Sequence, residues 1–179
     1  MYWMATSGNG GFSPRRVPIS IESAGNDLAN RHAEATASDW QIILHLRTLI
    51  GRDPSIVLEL LEDARQQPIS YTNTIYAATR EAIAEQPKQA SLHYFAALGA
   101  IQLGRFREAE AALDEALDLA PQYSEAHLLA VRVALETRQT GRADERLRRA
   151  EQNGVNPQAV AELRARLNQN TSGRGASRA

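Results

Sequence analysis

The chain has 179 residues, 43% hydrophobic and 23% charged, with 20 basic against 21 acidic side chains and no cysteine. That length suits one domain with a real core, and the near-neutral balance removes any blanket attraction to nucleic acid or anionic membranes. Without cysteine, disulfides, thiol catalysis and thiolate metal sites are excluded. No run nears the ~20 apolar residues of a membrane span. The opening Met1-Tyr2-Trp3-Met4-Ala5 also lacks the basic cap and apolar stretch of a secretory signal. A cytoplasmic protein without membrane insertion is expected.

Residues 1–36 carry little periodicity. Ser7-Gly8-Asn9-Gly10-Gly11 is glycine-rich, and Pro14 and Pro18 disfavour helix at the residues before them. This segment reads as a flexible or partner-docking N-terminal arm, a route into a larger complex. From 37 the pattern turns helical. Ser38 and Gln41 resemble a capping box, in which each side chain satisfies an orphan amide. Ile42, Ile43, Leu46, Leu49 and Ile50 then follow helical spacing, predicting a helix over 39–50 that stops at Gly51. Asp53-Pro54 restarts a helix, with aspartate as cap and proline where a missing N–H costs nothing. Pro68 ends that helix. Further helices are expected over 70–85, 90–103, 106–119, 124–138 and 142–152. A last one starts at Asn156-Pro157 and runs to 168. The polar, glycine-bearing stretch 169–179 reads as a disordered tail. The fold class is therefore all-α, with the folded domain at 37–168.

A period of 34 runs through the helices. Ala82, Ile83 and Pro87 recur as Ala116, Leu117 and Pro121, and His93, Phe95, Ala96 and Ala100 as His127, Leu129, Ala130 and Ala134. Such a period belongs to helix–turn–helix solenoids. On these residues the segment Ala90 to Pro121 resembles a tetratricopeptide repeat. Gly104, Phe106, Ala109, Leu113, Ala116, Leu117 and Pro121 stand where that family has its interhelix glycine, aromatic, small, large apolar, small, apolar and proline residues. The neighbours depart from the pattern. Unit 54–87 has Ile75 at a small-residue place and Asp63 at the glycine place. The unit after Pro121 calls for about three inserted residues to bring Gly141 to the turn. Since a two-helix unit cannot bury both faces, stacked neighbours and capping helices at 39–50 and 157–168 complete a short solenoid.

The chemistry-bearing residues give no catalytic constellation. His93 and His127 invite a metal reading, but equivalent places on successive repeats, with another helix between them, keep the imidazoles apart. They are expected to fill the packing place where the family favours tryptophan. Glu108, Glu110, Asp114 and Glu115 read as a solvated helix face. Neither an enzyme nor a cofactor or metal site is expected. Charge is uneven: residues 90–123 sum to −3, and residues 124–179, with ten arginines and six acids, to +4. That basic end supports a second reading, an RNA-associated helical-repeat protein. Against it, no aromatic platform follows Tyr123, and Asp144, Glu145, Glu151 and Glu162 can neutralise the arginines.

The resemblance implies a protein-interaction module, an adaptor or assembly subunit that holds a peptide or helix in the concave groove lined by the first helix of each repeat. Carried over place by place, the groove residues are Tyr94, Leu98, Ile101 and Gln102 in the well-matched repeat, and Leu128, Arg132 and Leu135 in the next. Ser91, Glu125 and Glu136 flank them. Family members that clamp a C-terminal carboxylate present lysines and asparagines at such places. With Tyr94 and Leu98 there instead, no such clamp is expected.

Overall fold

A computed structural model describes the backbone of residues 37–176 and the side chains of residues 40–171. The expected N-terminal arm, the side chain of Ser38 and residues 177–179 lie outside the described residues. Among those described, all regular structure is helical. In chain order the helices are α1 (Ala37–Arg52), α2 (Ile56–Ala64), α3 (Ile69–Glu85), α4 (Ala90–Gln102), α5 (Phe106–Leu119), α6 (Ser124–Glu136), α7 (Thr140–Gln152) and α8 (Pro157–Ala176).

Local chemistry sets most of these boundaries. Asp53 Oδ1 accepts from the Ser55 amide at 3.0 Å and from its hydroxyl at 2.5 Å, so the aspartate closes the turn through which α2 begins. Pro68 separates α2 from α3, since it has no amide to give a continuing helix. Gly104 ends α4 at φ +70°. There its amide bonds to Ile101 O (2.9 Å) and that of Arg105 to Ala100 O (2.8 Å). This is the Schellman pattern, which needs a left-handed residue. The same pair recurs at the end of α7, where Gly154 sits at φ +72°.

The end of α6 corrects the sequence reading. Arg138, 34 residues after Gly104, takes φ +57°, and the amides of Arg138 and Gln139 bond to Leu135 O (3.0 Å) and Ala134 O (2.8 Å). The turn is the same turn with arginine in the glycine's place, and no residues are inserted. Gly141 lies inside α7. The register therefore runs on unbroken: Ala109, Leu113 and Ala116 recur as Ala143, Leu147 and Ala150, and all six are fully buried. The last helix also continues to Ala176, past the end at 168 that the polar composition suggested. No proline interrupts it, and an isolated glycine costs a helix only about 1 kcal/mol.

The helices pair as α4–α5 and α6–α7 hairpins, with α8 closing the far end against α6 and α7. At the other end α2 has only nine residues, and α1 packs directly on α3. Their C-terminal ends meet, where Gln86 Nε2 donates to Gly51 O at 3.0 Å and Arg47 pairs with Glu85 at 3.0 Å. The core is layered along the stack. Ile43, Ile50, Leu61 and Ile75 fill the first layer, Tyr76, Ala97, Ala109 and Leu113 the second, and Val131, Leu147, Val160 and Leu163 the third. Each unit buries its apolar face only against the next, which is how a solenoid divides its stability.

Small residues let the second layer close up. Gly99 on α4 faces Tyr76 on α3, and a Cβ built there would lie 3.2 Å from Tyr76 Cδ2. Tyr76 is buried, its hydroxyl donates to Glu108 at 2.7 Å, and the Arg105 guanidinium lies 5.5 Å from its ring centre. One repeat later the same three places hold Glu110, Arg142 and Gln139. There Glu110 accepts from Arg142 (2.5 Å) and Gln139 (2.9 Å). Each junction between second helices is thus clasped at equivalent positions by different chemistry.

Candidate partner-binding face

The first helices of the two well-formed repeats, α4 and α6, present the residues singled out from the sequence. On α4 the core takes Leu92, Ala96, Ala97 and Ala100. Tyr94, Leu98, Ile101 and Gln102 are left half-buried on the adjoining side. On α6, Leu128 is half-buried and Arg132 exposed. Leu135 is placed differently: it is only 7% exposed and packs with Val160, Leu163 and Leu167 of α8. It forms floor rather than contact surface. The amide of Gln102 is already engaged, donating to Leu61 O at the end of α2 at 3.1 Å. Ser91 is half-buried, and Glu125 and Glu136 are exposed.

Two further aromatics join this face. The Tyr94 ring lies 5.1 Å from that of Tyr123, tilted by 44°, and 5.3 Å from that of Phe95, edge-on at 67°. Tyr123 occupies the turn just before α6, and sequence reasoning did not place it in the site. It is not a 34-residue image of any aromatic, because the equivalent residue is Gln89. Only the fold of the inter-repeat turn brings it to Tyr94. Burial raises the Tyr94 hydroxyl above its ordinary pKa, with Glu125 adding and Arg132 opposing. Burial first, then Tyr94 and Glu125, push Tyr123 up to about 12. Both hydroxyls stay protonated at neutral pH and can donate hydrogen bonds. The result is an aromatic ledge with Leu98, Ile101 and Leu128 beside it and one acid and one cation close by.

The histidines do the packing work expected of them. His93 and His127 are 9% and 3% exposed. The Nε2 of His93 donates to Pro87 O at 2.8 Å, and that of His127 to Pro121 O at 2.8 Å. Each ties the start of a first helix to the proline that ends the preceding repeat, which requires the proton on Nε2. Among the described residues no group of three or more histidine, cysteine, aspartate or glutamate side chains is placed to hold a metal ion. Nor is any described helix long and apolar enough to cross a membrane.

Four of the eight arginines of the basic end whose side chains are described are paired with acids. Arg148 and Arg164 bond to Asp144, and Arg164 also to Glu151 at 2.7 Å, two of the acids the sequence nominated. Arg146 and Arg142 instead cross to the preceding repeat, reaching Asp114 at 2.9 Å and Glu110 at 2.5 Å.

Against known proteins, residues 100–167 match the tetratricopeptide repeat family. No curated protein matches the chain by sequence. Among solved structures, the chain is similar to the TPR2B domain of yeast Sti1, in a complex with pHsp70, with a TM-score of 0.56 at 18% identity. That likeness covers 72% of this chain and 98% of the domain. It is also similar to the first TPR of Spaghetti (RPAP3), bound to the HSP90 peptide SRMEEVD, with a TM-score of 0.55 at 16% identity, over 74% of this chain and 94% of the other.

Proposed function

We propose that this chain, which carries tetratricopeptide repeats, is a protein-interaction module that holds an apolar or amphipathic segment of another protein on the α4–α6 face. The observation that carries this reading is the ledge of Tyr94, Tyr123, Leu98, Ile101 and Leu128. These residues remain half-exposed after the core has taken the small residues of the same helices. Partly exposed aromatics on a rigid scaffold are the usual anchors of an interface. The two similar repeat structures are both complexes with chaperone ligands, one of them a peptide, which supports a peptide as the kind of occupant. The ledge differs from a terminal-carboxylate clamp, because an aromatic and aliphatic residues occupy the places that a clamp fills with lysine and asparagine. Adaptor or assembly-subunit work follows from such a face, and a chain that only binds has no need of catalytic groups.

The experiment is capture of partners from native lysate by the intact chain and by a Tyr94→Ala, Leu128→Ala double variant, with circular dichroism to verify folding. Loss of roughly 1–2 kcal/mol of contact at each anchor should weaken partner binding at least about tenfold. An unchanged set of partners at unchanged affinity, from a folded double variant, would move the site off this face. The RNA reading has weaker support, since Arg142, Arg146, Arg148 and Arg164 are committed to acids. A steep loss of binding with added salt would favour it.

A further inference from the structure

Beyond the ledge, the ends of α6 and α8 and the turn between α6 and α7 enclose a second feature. A cleft of about 630 Å³ is lined by Glu136, Arg138, Thr140, Arg166, Gln169 and Asn170, with Leu135 at its base. Its chemistry is that of donors: two guanidinium groups, two amides and a hydroxyl against one carboxylate. The first turn of α7 borders it at Thr140, and no side chain caps that helix start, so first-turn amides lack helical partners. Among the described residues neither Arg138 nor Arg166 has an acid within ion-pair distance, in contrast to Arg142, Arg146, Arg148 and Arg164.

Arg138 is the telling member. The equivalent turn one repeat earlier uses Gly104 at φ +70°, the residue type that this conformation suits. Here an arginine holds φ +57°, a conformation unfavourable for any side chain with a Cβ. Backbone strain at a solvent-facing turn is a pointer to function when the residue that bears it borders a site, and Arg138 lines the cleft. Arg166 reaches the same cleft from α8, 34 residues after Arg132, so it continues the row to which Leu98 and Arg132 belong. The cleft is therefore the far end of the face already described.

We propose that this cleft is an anion-taking subsite for a side-chain carboxylate, an aspartate or glutamate of the same partner segment whose apolar residues lie on the Tyr94 ledge. This rests on the reading of that ledge as a protein-binding face. Guanidinium groups pair with carboxylates through charge-assisted hydrogen bonds, and Gln169 and Asn170 supply further neutral donors. No aromatic side chain lines the cleft, which disfavours single-stranded nucleic acid, whose bases need a stacking surface. The partner is thus a segment with apolar residues towards α4 and acidic residues towards α8.

The test is a titration at low ionic strength, followed by amide chemical shifts, with three probes: acetyl-triglutamate amide, acetyl-trilysine amide and hexauridylate. Triglutamate should shift the amides of Arg138, Thr140, Gly141, Gln169 and Asn170, and trilysine should not. The decisive variant is Arg138→Gly. It removes the guanidinium while giving the turn the residue that suits it, so the protein should melt at a higher temperature yet bind triglutamate about tenfold more weakly, the order of one charge-assisted contact. Arg166→Gln should weaken binding by a similar factor. The assignment is overturned if Arg138→Gly binds triglutamate as the parent does, if no localised shift occurs, or if hexauridylate binds more tightly than triglutamate. The Tyr94→Ala, Leu128→Ala variant should leave the triglutamate titration unchanged. If that variant also retained the natural partner while Arg138→Gly lost it, the ledge would be refuted and the cleft would stand.

Discussion

Replacing Ala109 with leucine probes the small-residue contact between α4 and α5. Ala109 lies on α5, is 0% exposed, and shares its layer with Ala96, Ala97 and Ala100 of α4 and Ala116 of its own helix. With small residues on both partners, the axes can sit near the short end of the 8–10 Å range for packed helices. Leucine adds three carbons where no accessible space exists, so α4 must move or the new side chain must leave its preferred rotamer. Overpacking of that kind costs about 1–3 kcal/mol, and the two residues differ little in helix propensity. For a chain of this size each kcal/mol lowers the melting temperature by about 2–4 °C, so a fall of roughly 2–12 °C is expected. Ala111→Leu is the matched control: the same substitution two residues along the same helix, at an exposed position, should stay within about 0.5 kcal/mol of the parent. Thermal melts and urea midpoints of the three proteins decide the matter. If Ala109→Leu and Ala111→Leu melt together, the α4–α5 packing described above is wrong.

Gly99→Ala should destabilise by about 1 kcal/mol although alanine is the better helix former, because its Cβ meets Tyr76 at 3.2 Å and Tyr76 is held by Glu108 and Arg105. In a Tyr76→Leu background the penalty should vanish, and a double-mutant cycle by urea unfolding measures that coupling. Arg142→Glu should destabilise by placing like charges at the junction with Glu110, and adding Glu110→Arg should restore part of the loss in thermal melts. Alkaline stability follows from the tyrosines. The Tyr123 hydroxyl is raised from 10.0 to about 12 and Tyr94 is raised as well, so the unfolded chain loses these protons first. Their contribution is complete below pH 10 and is lost as pH rises towards 12. Tyr123→Phe should flatten that decline in chemical-denaturation curves recorded across this range.

Several helix limits were legible in the sequence where one residue decides them, although Gly51, read as a stop, lies inside α1, which runs to Arg52. Gly104 supplies a left-handed turn, Pro68 forbids continuation, and Asp53 closes a turn onto Ser55; these effects act over a few residues and need no partner helix. The 34-residue period was legible for the same reason that it exists, since each unit must present the same faces to its neighbours. It also led correctly to His93 and His127 as packing residues, though not to the proline carbonyls they bind. Tertiary structure decided the rest. Arg138 shows no sign of a turn in its residue type; it adopts one because the α6–α7 hairpin closes through the amides of Arg138 and Gln139. Leu135 follows the same helical pattern as Ile101, but α8 covers only the former. Tyr123 meets Tyr94 across an inter-repeat turn, and Arg146 meets Asp114 across two stacked second helices. Helical periodicity reports which side of a helix is apolar. Which helix then covers that side, and which side chains it leaves open to a partner, is set by how the repeats stack.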